Sequence, residues 1–91
     1  HEAMHQVGRL QHFVEADRDG RVSAIDNLQM ARIARLAGAP MDMGAGVDLY
    51  KKTGDQVRRG EPLYAIHAEF GADFTFACEL ATRDNGFSLS V

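Results

Sequence analysis

Short apolar runs separated by glycine turns occupy residues 47–68, and they constrain the fold more than any other part of the sequence. The run at residues 47–51 alternates apolar and polar side chains, whereas the run at residues 63–66 is apolar throughout. Gly54 and Gly60 mark the turns between them. Alternation is typical of a half-buried strand. Short strands joined by glycine turns favour a small barrel or a folded-over sandwich.

Two further strands are predicted near the start of the chain. Residues 11–16 form a short β-prone run, and residues 21–25 alternate polar and apolar side chains. Between them lies a turn at residues 17–20, where Gly20 can adopt a positive φ without steric cost. The two strands are therefore predicted to pair as a hairpin.

A helix is predicted to begin after Asp26 and to end at Gly38. Asp26 is a favourable N-cap residue, and Gln29 stands three positions later, as in a capping box. Gly38 suits the position after the last helical residue, and Pro40 prevents continuation. Helical spacing places four apolar residues on one face: Met30, Ile33, Ala34 and Ala37. Three polar residues are predicted to point away from that face: Gln29, Arg32 and Arg35.

Residues 71–83 carry mixed signals, since residues 74–76 have β character while the later apolar residues follow helical spacing. Asp73 lies where a helix N-terminus favours a negative charge. A second helix is predicted here, ending before Asn85 and Gly86. The alternation of apolar residues with serines at residues 87–91 predicts a last strand.

The 91 residues suit one domain, predicted at residues 11–91 and preceded by a polar linker or boundary at residues 1–10. A domain this short buries only about 60–65% of its unfolded surface, so its core is thin. An apolar content of 45% with a net charge of −3 excludes a disordered chain. The first residue is His1, not methionine, which suggests a piece of a longer protein.

Charge and cysteine content restrict the partners and the compartment. Ten scattered lysines and arginines in an acidic chain argue against nucleic acid, which requires clustered cations. No apolar run approaches the roughly 18 residues of a membrane span, and no signal peptide is visible. A single cysteine, Cys78, cannot form an internal disulfide, which favours a reducing, cytoplasmic setting.

Two blocks of the sequence resemble the C-terminal domain of the pyrimidine-nucleoside phosphorylases. The first runs from Gly20-Arg21-Val22-Ser23-Ala24-Ile25-Asp26-Asn27 through the predicted helix to Ala37-Gly38-Ala39-Pro40. The second comprises Gly44-Ala45-Gly46-Val47-Asp48-Leu49, Gly54-Asp55-Gln56-Val57, Gly60-Glu61-Pro62-Leu63 and Ile66-His67-Ala68-Glu69, with Glu79-Leu80-Ala81 as the closing match. The resemblance covers residues 14–83 and is to the thymidine phosphorylase branch that includes archaeal AMP phosphorylase.

The resemblance implies an α+β fold, a small α/β hammerhead-like or barrel-sandwich domain of mostly antiparallel strands with two helices. It also implies that the parent enzyme converts a pyrimidine nucleoside and phosphate to free base and a sugar 1-phosphate. The family's substrate-binding residues lie in its N-terminal catalytic domains, so no catalytic, cofactor-binding or metal-binding residue is transferred to this chain. The expected partners are those catalytic domains and further subunits of a homo-oligomer, which this accessory domain would brace or assemble.

The residues themselves give no site either. His1 and His5 could share a helical face, but no third ligand stands nearby, and His12 and His67 lie on separate segments. Cys78 lacks a neighbouring base, and the adjacent Glu79 would raise its pKa. Three aspartates could suggest a calcium site, but the 12-residue calcium-binding loop with its closing Glu is missing. Roles in turns and helix caps explain them better: Asp17, Asp19 and Asp26. The glycines of residues 44–46 precede a strand-like run, which disfavours a phosphate cradle.

The alternative interpretation is a carrier domain, because the turn rhythm at residues 54–63 also resembles lipoyl and biotinyl domains. Those domains present an attachment lysine on an exposed hairpin after the last of these strands. Phe70 stands at about that position, and no lysine follows Lys52. Without the amine, neither lipoate nor biotin can be attached.

Overall fold

A computed structural model describes residues 10–40 and 44–91 of the chain. Six strands and two helices follow one another in this part of the chain: β1 Leu10–Glu15, β2 Gly20–Ile25, α1 Asn27–Ala37, β3 Gly46–Leu49, β4 Gln56–Val57, β5 Pro62–Ala68, α2 Gly71–Arg83 and β6 Phe87–Ser90. The strands form two antiparallel three-stranded sheets, which confirms the predicted α+β class.

Sheet A has the strand order β1-β5-β3, with β5 in the centre. Residues 63–68 of β5 are all buried. A buried strand needs neighbours along both edges, because its backbone N–H and C=O groups must be paired. On β1, Gln11, Phe13 and Glu15 are exposed while Val14 is buried, and both helices contact sheet A.

Sheet B has the strand order β4-β2-β6. Val22 of β2 is fully buried, and Val57 of the short edge strand β4 is also buried. Gly20 lies so close to β6 that a methyl group there would approach the Ser90 carbonyl oxygen to 2.5 Å. The first residue of β2 must therefore be glycine, for steric reasons.

The predicted hairpin between the first two strands is wrong. β1 pairs with β5 and β2 pairs with β4 and β6, so the turn at residues 17–20 carries the chain from one sheet to the other. This crossing is fixed by backbone bonds from Ala16 N to the Glu61 carbonyl and from Gly60 N to the Ala16 carbonyl. β1 instead pairs with one edge of β5 and β3 with the other, so that the backbone groups of this buried strand are paired along both edges.

Helix α1 begins and ends as predicted. The Asp26 carboxylate accepts a hydrogen bond from Gln29 N at 3.1 Å, and Gly38 closes the helix with φ +125°. Met30, Ile33 and Ala37 lie in the core, and Ala34 is half-buried.

The predicted outward direction of Gln29 is wrong, because its side chain is buried. Its amide Nε2 donates to the Asp84 carbonyl at the end of α2, at 2.9 Å, instead of returning to the Asp26 backbone. The carbonyls at a helix C-terminus lack intrahelical donors, and a buried amide satisfies one of them. Asp26 N donates to the Gly86 carbonyl in the same region, so the start of α1 is tied to the end of α2.

Helix α2 spans residues 71–83, as predicted, with Asp73 in its first turn. It buries Ala77 and Ala81 against the core and ends at Asp84, and Gly86 then turns the chain into β6 with φ +85°. Tyr64 of β5 supports this junction, because its hydroxyl donates to the Asn85 carbonyl at 2.8 Å and its ring stacks on Phe87. Burial raises the Tyr64 pKa above its ordinary value.

Carboxylates close the two glycine turns before β5. Asp55 accepts from Lys52 N at 2.8 Å, and Glu61 accepts from Arg58 N. These backbone hydrogen bonds lower the pKa of each carboxyl. Because the folded pKa is lowered, the associated stability is present above the unfolded pKa and is lost as the pH falls through the folded pKa.

Some expectations fall on residues that the structure does not describe. The predicted linker at residues 1–10 lies outside the described residues except for Leu10, which begins β1. Residues 41–43, between α1 and β3, also lie outside them. Among the helices of residues 10–40 and 44–91, neither is long and apolar enough to cross a membrane.

Candidate functional site

His67 is the buried ionisable side chain that most resembles a site residue. It lies on β5 with 4% of its surface exposed, and its Nε2 is 2.8 Å from the Asp48 carboxylate of β3. Within the described residues its Nδ1 has no hydrogen-bond partner. In the neutral ring, Nε2 carries the proton and donates it to Asp48, and Nδ1 is an acceptor.

The surroundings of His67 favour a structural role for the pair. The shallow pocket beside it is lined mostly by small apolar groups and glycine backbone: Ala34, Ala39, Gly44, Ala45, Gly46 and Val47. None of these side chains is a nucleophile or a second acid, which general acid–base or covalent chemistry requires. The Asp48–His67 bond therefore joins β3 to β5 beside the end of α1.

The histidines are not brought together in the part of the chain that the structure describes. His12 is exposed on β1 opposite Ile66, whereas Gln11 is the partner of His67, so the two imidazoles lie on opposite faces of the sheet. Residues 10–40 and 44–91 contain no cluster of three side chains that could hold a metal ion. His1 and His5 lie outside the described residues, so the expectation that the chain has no metal site stays a prediction.

The aspartates near the start of the chain serve a turn and a helix cap. The Asp19 carboxylate accepts from Arg59 N at 2.7 Å and joins the turn before β2 to the turn before β5. Asp26 caps α1, as described above. Asp17 is exposed in the same turn as Asp19. The turn and cap roles predicted from the sequence are confirmed for Asp19 and Asp26.

Cys78 lies half-buried on α2 and packs against the core. Burial raises the pKa of its thiol, whereas the sequence had suggested that the charge of Glu79 would do so. A raised pKa reduces the thiolate fraction at neutral pH, and the thiolate is the nucleophilic form. The environment of Cys78 thus favours packing over reactivity.

The glycines at positions 44 and 46 support a turn and not a phosphate site. Both have positive φ values, +86° and +141°. The chain then enters β3 and no helix begins here, so the aligned N–H groups of a helix N-terminus are missing.

Large exposed apolar side chains are the main surface feature of the described residues. They occur on both helices, on sheet A and at the last residue: Phe13, Leu28, Leu36, Leu49, Tyr50, Phe70, Phe76 and Val91. A shallow groove also runs along α2 and is lined by Phe74, Thr75, Cys78, Glu79, Thr82 and Arg83. Where such side chains lie together, they are candidates for contact with another protein surface.

Two of these side chains contact each other across sheet A. The rings of Phe13 and Tyr50 have centroids 6.2 Å apart and are tilted by 31°. Each ring is 46% exposed. The sequence did not identify this pair, because residues 13 and 50 become neighbours only through the pairing of β1 and β3 with β5.

Comparison with known proteins places the chain in one family. Residues 21–86 match the family model described as pyrimidine nucleoside phosphorylase C-terminal domain. Two relatives named "Putative thymidine phosphorylase", from Methylococcus capsulatus and Albidiferax ferrireducens, are 52% and 49% identical over 84 residues, which is 92% of this chain. A "Bifunctional ribose 1,5-bisphosphokinase-thymidine phosphorylase" from Azorhizobium caulinodans is 51% identical over 83 residues. The chain spans 16% of the first two relatives and 12% of the third.

The carrier interpretation is not favoured by these matches. The structure also differs from it at the decisive position, because β5 is followed by a helix and not by a hairpin. Phe70 is the N-cap residue of that helix and is exposed.

Proposed function

The chain belongs to the pyrimidine nucleoside phosphorylase C-terminal domain family, and from that premise we propose that it is the accessory domain of a larger phosphorylase. In that protein, residues 11–91 brace the catalytic domains or hold subunits of a homo-oligomer together. The proposal rests on the extent of the match. The alignment covers 92% of this chain but only 16% of the length of the relative from Methylococcus capsulatus.

The parent reaction we propose is a pentosyl transfer. A pyrimidine nucleoside and phosphate react, the glycosidic bond breaks, and free base and a sugar 1-phosphate are formed. We assign no step to this chain, because the polar side chains described above serve caps, turns and strand contacts. The chain alone is expected to be inactive, and its single cysteine fits a cytoplasmic enzyme.

An accessory domain can still affect the rate through geometry. Phosphorolysis requires nucleoside and phosphate to be held together in one cleft, and effective molarity falls when that positioning loosens. The bonds between the ends of α1 and α2, and between the two sheets, make this domain a compact module. Such a module suits bracing better than opening and closing, because mobile elements have few buried contacts.

Removal of this domain from the parent is therefore expected to lower its stability or disturb its assembly. The test compares the full polypeptide with a truncated form that ends before residue 11 of this chain. Light scattering measures the oligomeric state, and calorimetry measures the melting temperature. Turnover on thymidine should also fall, because the cleft is less well aligned.

A matched control keeps the domain and changes one exposed residue of it, Arg32→Asp. This form should assemble, melt and turn over like the unmodified parent. If the truncated form also matched the unmodified parent in all three measurements, the bracing role would be refuted.

A further inference from the structure

We propose that the outer face of sheet A is the surface that docks onto the catalytic part of the parent polypeptide. This face comprises Gln11, Phe13, Glu15, Asp48 and Tyr50. The occupant is a surface with an apolar side chain flanked by arginine or lysine. The inference rests on the proposed accessory role and adds which surface performs it.

The outer face of sheet A is exposed along its flanking strands. On β1, the residues of this face are exposed at positions 11, 13 and 15. On the other flank Asp48 is exposed, and Tyr50, just past the end of β3, is 46% exposed. The central strand β5 is buried between them. The exposed flanks can therefore contact a partner.

An aromatic pair bridges the centre of the outer face. Phe13 lies directly opposite Ala65 of β5, and Asp48 lies opposite Ala65 on the other edge. Ala65 itself is fully buried. Phe13 and Tyr50 thus form a preassembled apolar platform. Aromatic groups held in place are typical anchors of interfaces, since little entropy is lost on binding.

The charge on this face is acidic. Glu15 and Asp48 are exposed carboxylates on this face, and Asp48 accepts a hydrogen bond from the buried His67. Lys51, which follows Tyr50, is paired with Glu61 at 3.5 Å. An arginine can stack on an aromatic ring and bind a carboxylate with the same planar group. The complementary surface is therefore apolar at its centre and basic at its rim.

The path of the chain also favours this face. Strand β1 begins at Leu10, only three residues before Phe13. In a polypeptide of the relatives' length, the chain that comes from the preceding domains enters a C-terminal domain at β1. A surface on β1 is close to that connection, which raises the effective concentration of a neighbouring domain at this face.

The other exposed apolar groups lack these features. On α1, Leu28 and Leu36 are separated by the charged Arg32 one helical turn from each. The groove on α2 carries both Glu79 and Arg83, so its charge is not of one sign. Phe76 on α2 is 56% exposed, close to the 46% of Phe13, which makes it an internal reference.

The test is hydroxyl-radical footprinting of the full-length parent, with the oxidation of Phe13 compared with that of Phe76 in the same molecules. Two phenylalanines of similar exposure should react at similar rates in the free domain. Docking should slow Phe13 relative to Phe76 by about fivefold or more, because anchor residues of an interface are shielded from water. Equal rates, or protection of Phe76 instead, would overturn the proposal. Protection of Phe13 that disappears when the oligomer is diluted to monomers would identify a second subunit as the occupant and would also overturn it.

A charge change separates docking from local packing. Glu15→Lys in the parent should weaken docking and bring the Phe13 rate towards that of Phe76, whereas the matched variant Glu79→Lys on α2 should leave it unchanged. An unchanged Phe13 rate in Glu15→Lys would refute the basic character of the occupant. Footprinting tests the docking face, and truncation tests the accessory role. If truncation destabilises the parent while Phe13 stays unprotected, the accessory role stands and the assignment of the docking face to sheet A is refuted.

Discussion

Replacing Ile33 by aspartate is expected to abolish cooperative folding of the chain. Ile33 is fully buried in the middle of α1, among the largest side chains of the core. An unpaired carboxylate there costs several kcal/mol or must be protonated. A domain of this size has only about 5–10 kcal/mol of stability to lose. Thermal melting followed by circular dichroism measures the effect.

The neighbouring substitution Arg32→Asp is the control for Ile33→Asp. Arg32 is exposed on the same helix, so a carboxylate there remains in water. A melt of Ile33→Asp within a few degrees of the unmodified chain would mean that α1 does not bury this face.

Gly86→Ala is expected to destabilise the chain by about 2–4 kcal/mol, from backbone strain and overpacking together. Gly86 has φ +85°, a conformation that side chains with a Cβ rarely adopt. A methyl group would also lie 2.5 Å from Met30 Cε and 3.4 Å from Gln29 Cβ. Met30 can move its flexible end, but Gln29 is held by its bond to the Asp84 carbonyl. Urea unfolding measures the loss.

Gly60→Ala separates the two contributions. Gly60 has a similar φ of +92°, but nothing lies within 4 Å of the added methyl group. Its substitution should cost only the strain, about 1–2 kcal/mol. Equal losses at positions 60 and 86 would show that the junction of α2 and β6 is not tightly packed against α1.

The helices could be predicted from sequence because their signals are local. Asp26 and Gly38 bound α1 within a dozen residues, and the cap bonds that they make are with near neighbours in the chain. The amide of Gln29 could not be placed in this way, since its partner is the Asp84 carbonyl, 55 residues further along the chain. Gln29 lies one helical turn before Ile33, on the same face, and only its polarity suggested that it is exposed.

Strand partners were harder to predict than strands. The run at residues 11–16 and the run at residues 21–25 are both strands within a residue or so, yet they belong to different sheets. Pairing depends on packing across the whole domain, which no local pattern of residues records. The outer face of sheet A could not be predicted for the same reason, because Phe13 and Tyr50 are 37 positions apart and become neighbours only through the pairing of β1 and β3 with β5.

The resemblance to a phosphorylase domain rested on residues that the fold now explains. Gly20 is required by the close approach of β6, and Asp26 caps α1. Asp55 and Glu61 close the turns before β5. Each of these residues serves the architecture. The shared motif thus marks a scaffold, which is consistent with an accessory role.

The most direct test of that role is the substrate preference of the parent with and without this domain. The quantity to measure is the ratio of kcat/KM for thymidine, uridine and AMP in the full polypeptide and in the form truncated before residue 11. A domain that only positions the catalytic parts should lower all three values together and leave the ratios unchanged. A truncated form that assembles and melts normally but prefers a different nucleoside would show that this domain determines substrate selectivity, which would contradict the accessory role.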